Sequence, residues 1–375
     1  MKKQLVIGIM NGTSLDGVDF VLTEIHKPKA KTANPKVKFI AEKAFQFPNE
    51  MKSQLVKAAK HESHVKELSR LHHDLGRFYA DCYKKLPAKF KNAKLIGLHG
   101  QTVYHEAPRA TLQIGESSYL ASVSGKTVIS DFRAADLSYG GQGAPIATLF
   151  HEKVLATSLK GKSCIAIHNL GGISNLSLIN KKGVLVSFDT GPANMLLDLF
   201  IQSYTQGKTS YDHSGEIAAK GTVQKHLLAQ MREYSYFKQA PPKSCGREEF
   251  GEIFLDRFKP EMVNLSLEDV LCTLTEFTAT TIADAYQKFA KPIPEKIIFC
   301  GGGALNKFLL KRIQSLMPMI KICTSMDLGW PVSSIEGAAF ALLAAYRFWE
   351  IPANYPKTTG AKKLALLGKI TKTQA

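Results

Sequence analysis

The sequence predicts an α/β protein built from two structurally repeated halves, and three observations carry that prediction. Short apolar runs that read as strands (Leu5–Met10, Leu95–Leu98, Cys164–Asn169, Ile297–Cys300) alternate with long stretches of helical periodicity such as 50–86 and Leu265–Phe289. Strand ends open repeatedly into glycine-rich turns, the places where open α/β sheets bind ligands. A β-hairpin with a glycine loop, followed by a further strand, begins at Leu5 and again about 160 residues later at Cys164, which indicates internal duplication.

The first strand runs into Gly8-Ile9-Met10-Asn11-Gly12-Thr13-Ser14-Leu15-Asp16-Gly17-Val18-Asp19, and an alternating run, Val18–Ile25, leads out, so this stretch is the turn of a hairpin. Gly12 and Gly17 permit close approach to the main chain, and Thr13 and Ser14 offer hydroxyls and N–H groups to a phosphate. Asp16 and Asp19 bring carboxylates nearby, an arrangement suited to a hydrated Mg²⁺; an ordinary polar turn is the competing account. Val37–Ala44 reads as a third strand closing a small antiparallel sheet. In 50–86, Met51, Leu55, Val56, Leu68, Leu71, Leu75 and Phe78 recur at helical spacing. Leu95–Leu98 ends at His99-Gly100-Gln101-Thr102, polar residues just past a strand's carboxyl end, where binding and structural roles both remain open for His99. A helix near Ser117–Ser124 and the strand Thr127–Ser130 follow. The stretch Asp131–Pro145, with Gly140-Gly141-Gln142-Gly143, is too rich in glycine for a regular element; its Arg133 fork suits a carboxylate or phosphate, and Asp136 lies beside it.

The second half repeats the pattern: strand Cys164–Asn169, turn Leu170-Gly171-Gly172, strand Ile173–Ile179, turn Lys181-Lys182-Gly183 and strand Val184–Phe188. That third strand ends in Asp189-Thr190-Gly191-Pro192, with a helix starting at about Met195. Asp189 is therefore placed either to cap that helix or to act as a general base. Polar loops at Asp212–Gly215 and Lys243–Glu248 flank a helical middle region. Ile297–Cys300 opens into Gly301-Gly302-Gly303, which lets a flat ring or phosphate lie against the backbone or simply makes a tight crossover. Glu336 sits near the start of the apolar helix Gly337–Trp349, and the basic tail regains order over Leu364–Ile370.

Composition bounds the function. With 375 residues, 45% hydrophobic and 22% charged, the chain is long enough for two cored domains and is neither fibrous nor disordered. Its first apolar run is too short for a signal peptide, and no stretch reaches the roughly 20 apolar residues of a membrane span. A cytoplasmic location is expected, and six scattered cysteines without a Cys-x-x-Cys pair read as buried free thiols. His61-Glu62-Ser63-His64 is one residue short of the zinc-protease spacing and reads as a solvated helix face. The net charge of +17 comes from lysines spread along the chain, densest over Lys27–Lys43, without the interleaved aromatics of a nucleic-acid surface. No nucleic-acid or membrane partner is expected.

Taken together, the Gly12–Asp19 loop, His99-Gly100-Gln101-Thr102, Phe132-Arg133 with Asp136, Gly140–Pro145, Asn169–Asn175, Asp189–Pro192, Gly301–Gly303 with Asn306, and Thr359-Gly360-Ala361 resemble the actin-like ATPase superfamily. More narrowly, they resemble the anhydro-N-acetylmuramic acid kinase family, in order from residue 8 to beyond residue 360. Asn11 departs from the serine common there, Ala193 from glycine, and His168 and Leu170 from the usual neighbours of Asn169. The resemblance implies two duplicated actin-like (ribonuclease-H-like) domains, each a mixed five-stranded sheet flanked by helices, with the active site in the cleft between them. The expected domains are 1–135 with about 340–375, and 136–339. It implies ATP as cosubstrate, Mg²⁺ near Asp16 and Asp19 held through water and phosphates, an amino-sugar substrate and a homodimer. ATP would meet Gly12, Thr13, Ser14, Leu15, Asp16, Gly17, Val18, Asp19, Gly171, Gly172 and, for adenosine, Gly301, Gly302 and Gly303. The sugar would meet His99, Gln101, Arg133, Asp136 and Glu336, with Asp189 as base. The implied reaction opens 1,6-anhydro-N-acetylmuramic acid with water and phosphorylates O6, as in cell-wall recycling. An ordinary sugar kinase, or a nucleotide-dependent binding protein, would use the same fold.

Overall fold

A computed structural model describes the chain apart from residues 1–2, 13–14, 16, 31–32, 160–162 and 374–375. It divides into two compact units, Met1–Leu155 with Gly329–Ala375, and Ala156–Leu328.

In the first unit, β1 (Lys3–Met10), β2 (Gly17–His26) and β3 (Lys36–Gln46) form an antiparallel meander. The helical stretch that follows is interrupted: α1 (Asn49–Ala59) and α2 (Val65–Lys84) are separated at His61, whose φ of 61° no helix accommodates. The backbone N–H of His64 donates to Glu67 at 2.9 Å, so the His-Glu-Ser-His run is a helix start. Among the described residues no group of three or more His, Cys, Asp or Glu side chains is placed to hold a metal. The short α3 (Ala88–Lys91) precedes β4 (Leu95–Leu98), which pairs parallel to β1.

A separate hairpin, β5 (Gln101–Glu106) with β6 (Ala110–Ile114), was not legible as strands in a run carrying so few apolar residues. After α4 (Ser117–Ser124), β7 (Thr127–Ser130) joins β4 in parallel. The stretch expected to hold no regular element contains one helical turn, α5 (Ala134–Leu137), because its glycines begin only at Gly140. It is followed by α6 (Thr148–Lys153).

The second unit repeats the pattern with β8 (Cys164–Leu170), β9 (Ile173–Asn180) and β10 (Gly183–Pro192), again antiparallel. Helix α7 (Met195–Tyr204) and the short helices α8 (Lys225–Arg232), α9 (Glu252–Asp256) and α10 (Lys259–Met262) surround an aromatic core that includes Tyr236, Phe250, Phe254 and Phe277. Helix α11 (Leu267–Phe289) is capped by Ser266, whose Oγ accepts from the Asp269 N–H. Then come β11 (Lys296–Cys300), α12 (Lys307–Leu316) and β12 (Lys321–Thr324), with both strands parallel to β8.

The first unit resumes with α13 (Ser334–Phe348), the turn α14 (Pro356–Thr359) and β13 (Lys369–Thr371). Its sheet has the order β13-β7-β4-β1-β2-β3, and the second has β10-β9-β8-β11-β12. Three antiparallel strands followed by two parallel ones recur in both, so an α/β duplication is visible in the strand order. The first sheet has six strands where five were expected, because the tail returns as β13 and pairs antiparallel with β7.

The unit limits also differ from the expected 135/136 and 339/340. Helix α6 lies against α13, and all of α13 belongs to the first sheet through β1, β2 and β4. That contact is made backbone to backbone. A Cβ on Gly8 would stand 1.7 Å from the Gly337 carbonyl oxygen, and one on Gly97 2.3 Å from that of Phe340. Gly8→Ala should therefore cost about 1–3 kcal/mol or more, since the helix must lift off the sheet; a lower urea midpoint at unchanged slope is the expected result.

Candidate active site

In the first unit the polar residues gather at the carboxyl ends of β1 and β4. Thr13, Ser14 and Asp16 lie outside the described residues. Gly12 accepts from the Leu15 N–H at 3.3 Å, closing a turn, while the side chains of Leu15 and Val18 are core residues with 2% and 1% exposure. Those two can offer a ligand only backbone. Gly17 is explained by packing, because its Cβ would stand 2.2 Å from the Phe45 carbonyl oxygen on β3.

Asp19 sits on β2 opposite Met10 and Ala44. Burial, and then repulsion from Glu42, push its carboxyl up to about 6. Glu336, in the first turn of α13, is also raised by burial, eased by Arg133 and reinforced by Asp19. Both acids are poised to gain from a cation. A half-buried carboxylate raised in this way could serve as one oxygen ligand of a hydrated cation.

Arg133 joins two of the expected sugar residues. Its Nη2 lies 3.1 Å from His99 Nε2, and its Nη1 donates to the Gly143 carbonyl at 2.8 Å. A guanidinium only donates, so His99 Nε2 is the acceptor and the ring proton is on Nδ1. Burial and the Arg133 charge hold His99 well below the ordinary histidine range, so it stays neutral. The ring rests on Phe340 of α13, centroids 4.5 Å apart. His105, on β5, was missed by sequence reasoning; burial and Arg133 lower it to about 4, and its Nδ1 meets Thr111 Oγ1 at 3.0 Å. Gln101 is 3% exposed, and among the described residues its side chain makes a single long bond, 3.4 Å from its amide to the Thr102 carbonyl.

Asp136 does different work from the others. Its Oδ2 accepts from the Gly143 N–H at 2.8 Å, and its Oδ1 accepts from Asn354 and Thr359 at 2.8 and 2.9 Å. It fastens the glycine loop to the returning tail, and through Gly143 it holds the carbonyl that receives Arg133.

In the second unit Asp189 lies at an irregularity in β10, where the register against β9 shifts between Asp189 and Gly191. Its Oδ2 accepts from the Cys245 N–H at 3.0 Å, its N–H donates to the Lys243 carbonyl at 3.2 Å, and its carbonyl accepts from Tyr236 Oη at 2.6 Å. The side chain is half-buried, and the polar loop Lys243–Cys245 holds it. Lys243 and Cys245 stood in a stretch noted as polar in sequence; nothing local tied them to a carboxylate 56 residues away. Lys243, itself lowered by burial, packs its ammonium 4.4 Å from the Tyr236 ring centroid.

The glycine turns differ in openness. The Gly171 and Gly172 carbonyls accept from the N–H groups of Asn194, Ala193 and Met195. Gly301 has φ 78°, and its Cβ would meet Asn169 Oδ1 at 2.5 Å; Gly303 is similarly enclosed by Leu170 and Asn194. A Cβ on Gly302 would meet nothing within 4 Å. Four cysteines are buried and free as expected, while Cys245 and Cys323 are only half-buried.

The anhydro-N-acetylmuramic acid kinase family model matches residues 4–373. The chain belongs to that family. It is 36% identical to the anhydro-N-acetylmuramic acid kinase of Synechococcus elongatus, over 97% of this chain and 98% of that one. It is 36% identical to the Haemophilus influenzae protein of the same name, over 99% and 98%, and 34% identical to that of Caldanaerobacter subterraneus, over 99% and 97%. No helix among the described residues is long and apolar enough to cross a membrane.

Asp19 makes a pH prediction with a definite sign. Between its ordinary value of 3.8 and about 6 the folded chain binds more protons at this site than the unfolded chain, so its contribution to stability is lost as pH rises through that window. Asp19→Asn should flatten the decline in urea midpoint between about pH 4 and about pH 7. An unchanged slope would mean that Asp19 ionises normally.

Proposed function

We propose that this chain phosphorylates and hydrolytically opens 1,6-anhydro-N-acetylmuramic acid with ATP, giving N-acetylmuramic acid 6-phosphate and ADP. Family membership supports the substrate, and the observation that carries the chemistry is the carboxylate of Asp189, fixed by the Cys245 N–H at the irregularity in β10. Asp189 takes a proton from water as the water oxygen attacks C1. The C1–O6 bond breaks, and O6 receives the γ-phosphoryl group as ADP departs.

The roles divide by unit. Gly302, open on one side, fits the adenosine, with Gly301 and Gly303 shaping its cradle and Gly171–Gly172 lining the phosphates. In the first unit, Arg133 engages the sugar's carboxylate, neutral His99 and Gln101 engage its hydroxyls, and Glu336 orients it near Arg133. Asp136 acts by holding Gly143 and hence Arg133. Mg²⁺, through Asp19 and the Gly12–Asp19 loop, supplies charge neutralisation to the phosphates. A cytoplasmic homodimer acting in cell-wall recycling belongs to the same reading.

The test is ADP release with the anhydro sugar against the already opened sugar, with product mass read in ¹⁸O-labelled water. Turnover of the anhydro sugar alone, with label at C1, is expected. Turnover of the opened sugar without label would make the chain an ordinary sugar kinase. Asp189→Asn should lower kcat about 10²–10⁴-fold with the fold intact. Gly302→Leu should raise the KM for ATP at least about tenfold with little change in the urea midpoint, because a Cβ there meets no protein atom within 4 Å.

A further inference from the structure

Buried polar atoms are almost always paired, so those that are not point to something absent from the chain. Two such atoms stand close together in the fold of the first unit. Asn11 Oδ1 and Gln101 Oε1 have no hydrogen-bond partner among the described residues, and their residues are 2% and 3% exposed. Asn11 follows the end of β1 and Gln101 begins just past the end of β4. These strands are parallel neighbours with Ile9 beside Leu98, and the His99 N–H donates to the Ile9 carbonyl. The two amides therefore occupy adjacent strand ends, next to His99 and its partner Arg133.

The Asn11 amide is held from behind. Its Nδ2 bonds to Tyr79 Oη at 2.6 Å, and Tyr79, on α2, is wholly buried in the core. With one end of the amide fixed to the phenol, the other presents a carbonyl oxygen. Two neutral acceptor oxygens suit N–H or O–H donors, such as the acetamido and hydroxyl groups of an amino sugar, and repel phosphate oxygens, which only accept.

We propose that Asn11, anchored by Tyr79, is a sugar-contacting specificity residue that, with Gln101, accepts hydrogen bonds from neutral donors of the amino sugar. Its position beside the glycine loop would otherwise assign it to ATP. The inference rests on the amino-sugar reading above and extends it to a residue in the loop otherwise assigned to ATP.

The test is KM for each substrate in Asn11→Ala and Asn11→Ser, with calorimetric titration of 1,6-anhydro-N-acetylmuramic acid into each folded protein without ATP. Loss of one neutral hydrogen bond should weaken sugar binding about tenfold in Asn11→Ala and leave the KM for ATP within about twofold. Asn11→Ser, smaller and still polar, keeps the test open if the alanine variant fails to fold. Tyr79→Phe, which frees the amide without removing it, should weaken the sugar about threefold. A folded variant with unchanged sugar affinity overturns the inference, as does a rise confined to the KM for ATP. Wild-type protein that turns over the sugar while the variants match it defeats this inference alone; wild-type protein that binds no sugar defeats both.

Discussion

The direct contact of α13 with the sheet of the first unit is the constraint on which most of its site depends. Helices normally stand off a sheet by the width of their side chains, but here Gly8 and Gly97 on the strands and Gly337 on the helix remove those side chains. The Cβ that Gly337 lacks would meet Val21 at 2.5 Å. Close approach fixes the helix in both height and rotation. Its first turn then carries Glu336 to within electrostatic reach of Arg133 and Asp19, and its second turn places Phe340 against His99 and Phe132. Three residues whose chemistry matters are thus aligned by three whose side chains are missing.

Electrostatics then sorts the polar groups by what each can still do. Arg133 spends donors on His99 and on the Gly143 carbonyl, which fixes the imidazole's tautomer and keeps it neutral. A second histidine, His105, is lowered by the same charge. Around a single guanidinium the protein therefore places two imidazoles held below the ordinary histidine range and a carboxyl raised by burial.

Much of this was legible in the sequence, for reasons that differ by residue. Strand runs such as Leu95–Leu98 and the glycines after them announce themselves through local pattern, and so did the repeated hairpins. Asp189 was legible as a strand-end carboxylate, but its holders, Tyr236, Lys243 and Cys245, were not, because a loop contact across 56 residues leaves no periodic trace. Asp136 was expected at the sugar through the family resemblance; two of its partners, Asn354 and Thr359, lie 218 and 223 residues on and leave no local trace. The hairpin β5–β6 escaped notice since it carries too few apolar residues to show alternation.

The duplicated topology explains how one fold supplies two kinds of site. The fourth sheet strand of each unit, β4 in one and β11 in the other, runs parallel to the first strand and ends in a glycine-bearing turn. In the first unit that turn carries His99 and Gln101, polar side chains that crowd the strand ends. In the second it carries Gly301–Gly303, where Gly302 leaves the backbone bare. The third strand diverges in the opposite direction: β3 ends in Gln46 and leads to Phe47 and Pro48, while β10 bends at Asp189 and presents a carboxylate. Equivalent backbone positions have thus taken different chemistry, buried polar side chains in one copy, and an open glycine turn with a half-buried carboxylate in the other. A flat nucleotide base is recognised largely by shape against main chain, whereas a sugar must be recognised hydroxyl by hydroxyl. On the proposed function, the division follows from what each kind of ligand offers to be bound.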